Sequence, residues 1–247
     1  MNTSFLPWEV RILSMFPELF PGPLSYSIIG RALTNGIWTL SSKNIRDYTN
    51  DNTKRVDDMS YGGGGGMILK ADVVANAIEK EFLCNNQNFP IIYLSPRGRL
   101  LTQKLADELS KFSGIQIICG RFEGIDQRIF EEFFIDEISI GDYVLSTGDI
   151  AAYVLIDACV RRLPGVISKR KGSESLLLEE ESLCVNTKYE SLLEYPHYTA
   201  PFKWRERTVP NILVSGNHDK IKKWRLSQAE KITQQRRPDL WKIYSKK

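Results

Sequence analysis

Short β-branched runs alternate along this chain with longer stretches whose apolar positions have helical spacing. The short runs predict strands at residues 9–15 and 37–42. The longer stretches predict helices at residues 24–33, 71–82, 101–112 and 149–163. Strands that alternate with helices in this way are typical of an α/β fold with a mostly parallel sheet.

The middle of the chain contains three apolar runs that each end in a polar, glycine-bearing loop. These runs are residues 89–98 (FPIIYLSPRG), 115–126 (IQIICGRFEGID) and 136–149 (DEISIGDYVLSTGD). Because ligands bind beyond the carboxyl ends of strands in open α/β sheets, we expect the three loops to line one pocket. The GxGxxG of a dinucleotide fold and the GK[ST] of a nucleotide-binding loop do not occur in the sequence.

Charged and turn-forming residues mark the first two loops. Pro96 and Gly98 predict a turn that exposes backbone amides. Arg121 and Glu123 lie between two glycines at the end of an apolar strand. Because buried charges are costly unless they are paired or functional, these two residues either form a structural ion pair or contact a ligand.

The helix that follows the third loop carries chemistry at both ends. Asp149 is predicted to cap its start, and Pro164-Gly165 ends it. Arg161 and Arg162 stand side by side in its last turn. A favourable interaction with the negative end of the helix dipole explains one arginine at this position. Two adjacent arginines indicate that one of them binds an anionic or oxyanionic group.

Five consecutive glycines, residues 62–66, form neither a strand nor a helix because they would lose too much conformational freedom. The run follows Asp57-Asp58 and precedes the apolar residues 67–69. This setting predicts a loop whose bare backbone approaches a ligand or an RNA backbone. The alternative is a flexible connector.

The last part of the chain has a different charge and a different pattern. Residues 168–186 predict a linker, since basic and acidic blocks flank a few leucines without a sustained period. A helix at residues 217–236 and a second one from Pro238 follow. Residues 187–247 contain 14 Lys/Arg against 6 Asp/Glu, whereas residues 1–186 contain 19 against 24. A basic tail favours a polyanionic partner such as nucleic acid, and the alternative is a solvated helix face.

Composition excludes several classes of protein. The first residues lack a secretory signal and no stretch is long and apolar enough to span a membrane. Cys84, Cys119, Cys159 and Cys184 form no CxxC pair, and Cys119 and Cys159 lie in apolar runs typical of a core. We therefore expect a cytoplasmic protein. Two histidines leave little room for a His-based metal site or a Ser-His-Asp triad.

An ordered set of motifs resembles a known family. The motifs are DDMSYGGGGGM, YLSPRG, CGRFEGID, SIGDYVLSTGD, RRLPGV, EYPHYT and VPNILVSGNHDKIKKWR. Each is moderately specific, whereas the ordered set is very specific. Over nearly its whole length, the chain closely resembles the bacterial tRNA (guanine-N1)-methyltransferases.

The resemblance implies a domain organisation and a reaction. It implies a knotted α/β domain with a deep trefoil knot over residues 1–167, the linker at 168–186, and a small, mainly helical tRNA-binding domain at 187–247. It implies a homodimer whose active sites are shared between subunits. It also implies S-adenosylmethionine as methyl donor, the guanosine immediately 3′ of the tRNA anticodon as acceptor, and help from Mg²⁺.

The resemblance also assigns cofactor-binding residues. The backbone of Tyr93, Leu94, Gly120, Ile140, Tyr143 and Leu145 would hold adenine and ribose, and Glu123 would face the methionine end. The remaining expected cofactor residues share the same three loops, and they are Ser95, Pro96, Gly98, Arg121, Gly124, Ser139, Gly141 and Gly148.

Catalysis requires a cation and a base, because guanine N1 carries a proton and its carbonyl oxygen gains charge when that proton leaves. By resemblance the cation is Arg161. The aspartate that acts as general base in the family corresponds to Asn186, whose side-chain amide cannot accept the proton. Either Glu181 or Glu180 takes the role, or Arg161 acidifies the guanine and water removes the proton, or the protein is slow or inactive. The last option leaves a tRNA-binding module as the alternative function.

The expected RNA contacts lie in the glycine run and in the basic tail. Lys222, Lys223 and Arg225 would contact phosphates, a salt-sensitive contribution that does not depend on sequence. The other expected RNA-binding residues are Gly62, Gly63, Gly64, His197, Ser215, Asn217 and His218.

Overall fold

The structure is a computed structural model that describes residues 6–83, 89–167 and 191–246. The chain divides into two compact units between residues 168 and 169. Each unit is described by itself. No described helix is both long and apolar enough to cross a membrane.

The first unit is an α/β unit. Its strands are β1 (Trp8–Ser14), β2 (Trp38–Asn44), β3 (Asp57–Met59), β4 (Met67–Leu69), β5 (Ile91–Leu100), β6 (Gly114–Ile118) and β7 (Ile135–Ser139). Its helices are α1 (Ser27–Thr34), α2 (Ala71–Ile78), α3 (Gln103–Leu109), α4 (Arg128–Glu132) and α5 (Gly148–Val160). Five strands form a parallel sheet in the order β2-β1-β6-β5-β7. The prediction of an α/β fold with a mostly parallel sheet is confirmed.

Both faces of this sheet are covered, which explains its apolar strands. On one face Ile12, Ile92 and Ile117 pack with α1, α3 and α5. On the other face Tyr93 and Ile118 pack with α2 and α4. Strand β6 is buried along its whole length. Since each fully buried isoleucine contributes roughly 1.5–3 kcal/mol, this layered core fixes where the strand ends lie.

Strand β5 corrects the prediction of a turn at Pro96 and Gly98. The strand continues to Leu100, and its register against β7 shifts between Leu94 and Arg99. Pro96 has no N–H for the ladder, so the irregularity falls where the proline interrupts pairing. A Cβ on Gly98 would lie 2.4 Å from the backbone of Glu137, so a glycine lets the strand approach β7 again.

The glycine run forms the tip of a hairpin that the sequence did not predict. Strands β3 and β4 pair antiparallel on either side of it. Gly62, Gly63 and Gly64 have φ values of +89°, +81° and +135°, which L-residues with a Cβ rarely adopt. Main-chain hydrogen bonds tie β4 to the loop after β6, from Leu69 N to Gly124 O (3.0 Å) and from Glu123 N to Met67 O (2.9 Å).

The second unit contains a short hairpin and two helices. The hairpin strands are β8 (Lys203–Trp204) and β9 (Arg207–Thr208), and the helices are α6 (His218–Arg236) and α7 (Pro238–Tyr244). The Asn217 side chain caps α6 by accepting from Lys220 N (3.0 Å). The buried Thr233 hydroxyl accepts from Leu193 N (2.7 Å) and donates to Ala229 O (2.7 Å), which fixes residue 193 against α6. The two predicted helices are confirmed, whereas the hairpin was not predicted.

Candidate active site

An open cleft with about 670 Å³ of empty space, part of it open to solvent, lies where residues 93–96 of β5 meet the loops after β6 and β7 and the start of α5. This position, beside the ends of parallel strands, is where ligands bind in open α/β sheets. All of the predicted cofactor residues except Gly98 line it, namely Tyr93, Leu94, Ser95, Pro96, Gly120, Arg121, Glu123, Gly124, Ser139, Ile140, Gly141, Tyr143, Leu145 and Gly148. The structure thus brings the three strand-end loops together. Their role in binding a cofactor stays a prediction.

Glycines let the loops of the cleft cross at contact distance. Gly148 N donates to Gly120 O at 2.9 Å. A Cβ on Gly148 would lie 2.8 Å from Gly120 N, and one on Gly120 would lie 2.4 Å from the Tyr93 hydroxyl. Because no Cβ fits at either position, main chain rather than side chain forms this part of the wall.

Tyr93 forms a rigid, uncharged wall of the cleft. Its ring meets Phe130 edge-on, with centroids 5.4 Å apart. Burial raises the pKa of Tyr93 to about 12, so the phenol keeps its proton at neutral pH.

The loop after β7 combines apolar side chains with accessible main chain. Leu94, Ile140 and Leu145 line the cleft. The Ser139 hydroxyl donates to Gly141 O (3.1 Å) and accepts from Gly141 N (3.2 Å), which fixes the turn. Leu94 lies on β5, whereas Ile140 and Leu145 lie after β7. Apolar side chains beside polar groups, as in this part of the cleft, suit a ligand that has both apolar and polar parts.

Arg121 and Glu123 face different partners at the rim of the cleft. The Arg121 guanidinium lies 4.7 Å from the centre of the Phe16 ring, and the Arg46 guanidinium lies 5.6 Å from the same ring. The Glu123 side chain is exposed and crosses Gly66, where a Cβ would lie 2.0 Å from Glu123 Cγ. The cation–π contact therefore accounts for the position of Arg121, and the Glu123 carboxylate remains available at the rim.

Asp149 does not cap α5, so that prediction was wrong. The cap is Thr147, whose hydroxyl accepts from Asp149 N (3.3 Å). The Asp149 carboxylate is 2% exposed, accepts from the Ser14 hydroxyl at 2.5 Å and also accepts from the Thr147 hydroxyl. Its side chain therefore points inward, where the positive end of the helix dipole offsets its charge and where it fixes α5 against β1. Thr147 also lines the cleft, and the sequence analysis missed it.

Arg161 lies at the opposite end of α5 from the cleft. It follows Val160 and is exposed. A helix rises about 1.5 Å per residue, so Arg161 is roughly 20 Å along the axis from Gly148. Its neighbour Arg162 instead forms an ion pair with Asp107. Within one chain, the structure does not bring Arg161 to the cleft, and its catalytic role stays a prediction.

The candidate bases Asn186, Glu181 and Glu180 lie outside the described residues, as does the predicted linker. Cys84 and Cys184 lie outside them too, whereas Cys119 and Cys159 are buried as predicted. Among the described residues, no group of three His, Cys, Asp or Glu side chains could hold a metal ion. Help from Mg²⁺ stays a prediction.

Except for the half-buried Arg225, the predicted RNA contacts lie on exposed surfaces of the two units. In the first unit, Gly62, Gly63 and Gly64 are exposed at the tip of the β3–β4 hairpin. In the second unit, Lys222 and Lys223 are exposed on α6, and Ser215, Asn217 and His218 lie at its start. The Arg225 guanidinium lies 4.9 Å from the Tyr195 ring centre, and His197 Nε2 lies 2.9 Å from Glu194 Oε1. No contact with RNA is part of the structure, so these roles stay predictions.

Comparison with known proteins identifies the family. A sequence profile of the tRNA (guanine-1)-methyltransferase TrmD family matches residues 8–243. A tRNA (guanine-N(1)-)-methyltransferase of Ehrlichia canis is 52% identical over 94% of this chain and 94% of its own length. The enzyme of the same name from Rhodospirillum rubrum is 49% identical over 94% and 92%, and that from Pelagibacter ubique is 46% identical over 97% and 99%. The chain is therefore a methyltransferase that belongs to the tRNA (guanine-1)-methyltransferase family.

Proposed function

We propose that this protein transfers a methyl group from S-adenosylmethionine to N1 of the guanosine immediately 3′ of the tRNA anticodon. The observation that carries the proposal is the cleft in which residues 93–96 of β5 and the loops after β6 and β7 meet the start of α5. A module that only binds tRNA would have no use for this cleft, so the intact cleft favours an enzyme.

The cleft fits S-adenosylmethionine. Leu94, Ile140 and Leu145 offer an apolar slot for adenine, and the bare backbone at Gly120 and Gly148 leaves room for close approach. The exposed Glu123 carboxylate at the rim suits the ammonium of the methionine end. When bound, S-adenosylmethionine supplies an electrophilic methyl group on a sulfonium.

The remaining chemistry concerns the guanine, which must lose its N1 proton and bear negative charge on its carbonyl oxygen. Arg161 is the proposed donor to that oxygen, because a guanidinium keeps its positive charge and presents several N–H groups. The N1 proton passes either to Glu181 or Glu180 or, with Arg161 stabilising the anion, to water. Asn186 could hold the base by hydrogen bonds but cannot take the proton.

A homodimer with shared active sites would bring Arg161 to a cleft. Helix α5 is apolar on more than its buried side, since Ile150 and Val154 are each 46% exposed. Val154 is the midpoint of the helix. Two copies of α5 that cross antiparallel at Val154 would place Arg161 of one chain beside the cleft end of the other, about half a helix length from the twofold axis.

Two finer features of the proposal rest on the resemblance. The trefoil knot is supported by the close approach of Gly148 to Gly120, where the loop after β7 passes the loop after β6. A tRNA-binding role for residues 187–247 is supported by their excess of 14 basic over 6 acidic residues.

Transfer of labelled methyl from S-adenosylmethionine to a tRNA transcript tests the proposal. The transcript carries two guanosines at the 3′ edge of the anticodon, and in the control transcript adenosine replaces the target guanosine. Methylation of the first transcript alone is expected. A folded dimer that binds tRNA in the presence of Mg²⁺ but methylates neither transcript would contradict the proposal and favour a binding module.

A further inference from the structure

The hairpin of the second unit exposes a tryptophan. Trp204 lies on β8, and 58% of its surface is exposed. Tryptophan is a mostly buried residue type, and exposed apolar surface of this size marks interaction sites when other apolar or complementary groups surround it. The surroundings of Trp204 therefore decide what the surface binds.

Aromatic and cationic side chains share the face of the hairpin that carries Trp204. Arg207 is its direct partner across the hairpin, and side chains of such a pair lie on the same face. Phe202, two residues earlier and 48% exposed, follows on the same side. The hairpin extends to this point, since Val209 N donates to Phe202 O at 3.0 Å.

Arg205 at the tip of the hairpin covers one face of the indole. Its guanidinium lies 4.7 Å from the centre of the Trp204 ring. Arg205 has a φ of +51°, a left-handed conformation that is uncommon for arginine. The cation–π contact fixes the orientation of the ring, and the exposed fraction of Trp204 leaves ring surface for a second planar group.

The charge of the hairpin is positive on this face. Lys203, Arg205 and Arg207 stand against the single acid Glu206. Lys203 Nζ lies 3.6 Å from Glu206 Oε2, so these two charges offset each other. The excess positive charge therefore lies on the two arginines that flank Trp204.

We propose that this face, formed by Phe202, Trp204, Arg205 and Arg207, stacks on an unpaired nucleotide of the tRNA while its arginines contact the adjoining phosphates. A base has two flat faces that stack on aromatic rings, and an unpaired base exposes them whereas a duplex hides them. The inference deepens the proposed function, on which it rests, by naming a nucleic-acid contact outside α6.

The test compares the affinity of hairpin variants for the fluorescently labelled substrate transcript. Trp204→Ala should weaken binding roughly tenfold. The slope of the logarithm of the binding constant against the logarithm of the salt concentration (the salt slope) should stay unchanged, because stacking releases few ions. Trp204→Phe should retain most of the affinity, since it keeps an aromatic face. Arg205→Ala combined with Arg207→Ala should lower the salt slope by about 1–2. Phe112→Ala, which removes another half-exposed aromatic side chain, is the matched control.

Two further readouts separate the possible outcomes. Binding of S-adenosylhomocysteine and the mass by light scattering should be unchanged in Trp204→Ala. Unchanged tRNA affinity would overturn the inference, and loss of the dimer would assign the face to a second copy of the chain instead. If the unaltered protein binds the transcript through Trp204 but methylates nothing, the proposed function fails while the inference stands. If the protein methylates the transcript and Trp204→Ala leaves the tRNA affinity unchanged, the inference alone is refuted.

Discussion

The two ends of helix α5 differ in burial, in the parts of the chain that contact them and in the chemistry they carry. At the first end Gly148 touches Gly120, and the buried Asp149 binds the Ser14 hydroxyl, so the main chain and a buried carboxylate fix the wall of the cleft. At the other end Arg161 is exposed, while Arg162 pairs with Asp107. The end at Gly148 forms part of a rigid cleft, and the other end carries the exposed, permanently charged side chain of Arg161. Under the proposed mechanism, each end holds only half of what methyl transfer to guanine requires.

If Arg161 has the proposed role, one chain is chemically incomplete and a second copy must supply the other half. Changes at the contact between the two copies should have the largest effects, followed by changes in each half of the site, in the tRNA-binding surface and among the buried thiols.

Val154→Glu should abolish methyl transfer and halve the mass measured by light scattering. The side chain lies at the midpoint of α5, and two carboxylates facing each other across a twofold axis would repel. Binding of S-adenosylhomocysteine should survive, because the cleft belongs to one chain. Phe112→Glu is the control, since Phe112 has the same exposure of 46%. An active monomer would mean that one chain holds a complete active site, which contradicts the proposed shared site.

Arg161→Ala should lower kcat by about 10²–10³-fold, the usual effect of removing a donor to a developing oxyanion. Cofactor affinity and melting temperature should stay unchanged because Arg161 is exposed. Arg162→Ala is the matched control and should lower stability rather than kcat, since it breaks the ion pair with Asp107. Equal losses of kcat and of cofactor affinity in Arg161→Ala would refute the assigned role.

Gly120→Ala should weaken the binding of S-adenosylhomocysteine by roughly 10–100-fold, since an added methyl group needs about 1–3 kcal/mol of rearrangement in a packed wall. The new Cβ would lie 2.4 Å from the Tyr93 hydroxyl. Gly65→Ala adds the same methyl group where no atom lies within 4 Å, so its affinity should not change. Calorimetric titration measures both. Equal affinities would mean that the wall yields and is not fixed by main chain.

Replacing Lys222 and Lys223 together by Ala should weaken tRNA binding several-fold and reduce its salt slope by about 1.5, as expected for two lost phosphate contacts. The control replaces Lys104 and Lys111, which are equally exposed but lie on the first unit. A filter-binding series across salt concentrations gives both slopes. Equal slopes for the two double variants would remove α6 from the RNA surface.

Stability should fall at high pH because thiols are buried near both ends of α5. Burial raises the pKa of Cys159 to about 12, and burial beside Asp149 raises that of Cys119. In the unfolded chain a thiol ionises at about pH 8.5, whereas in the folded state it keeps its proton to higher pH. The contribution of the protonated thiol to the free energy of unfolding is therefore complete below about pH 8.5. Above it, each buried thiol should lower the free energy of unfolding by up to about 1.4 kcal/mol per pH unit. Urea unfolding from pH 7 to 10 should therefore be less pH-dependent in Cys159→Ala, and parallel curves would contradict this account.

Periodicity predicted the parts of the molecule that local sequence controls. The sheet and the helices around it follow from apolar spacing, and the glycine-bearing ends of the apolar runs indicated one cleft. Side-chain direction was harder to predict. Asp149 has the sequence position of a helix cap, yet Thr147 caps α5 and Asp149 turns inward to Ser14, a residue far away in the chain.

Long-range pairing explains the other differences. Pro96 and Gly98 are typical of a turn, but β7 pairs with the chain on both sides of them and extends β5 to Leu100. The hairpins around the glycine run and at Lys203–Trp204 have strands of only two or three residues, which are too short to show a periodic strand pattern. The resemblance named Arg161, and the structure shows that it lies at the end of α5 opposite the cleft.

Complementation between two impaired variants, assayed at a concentration of S-adenosylmethionine too low to saturate Gly120→Ala, tests the shared active site most directly. Arg161→Ala and Gly120→Ala chains are unfolded together and refolded, so that half of the dimers contain one chain of each kind. In a mixed dimer with shared sites, one site carries both defects and the other carries neither, so the mixture should regain about a quarter of the unaltered activity. A mixture no more active than the two separate variants would mean that each Arg161 serves its own cleft, which contradicts the account.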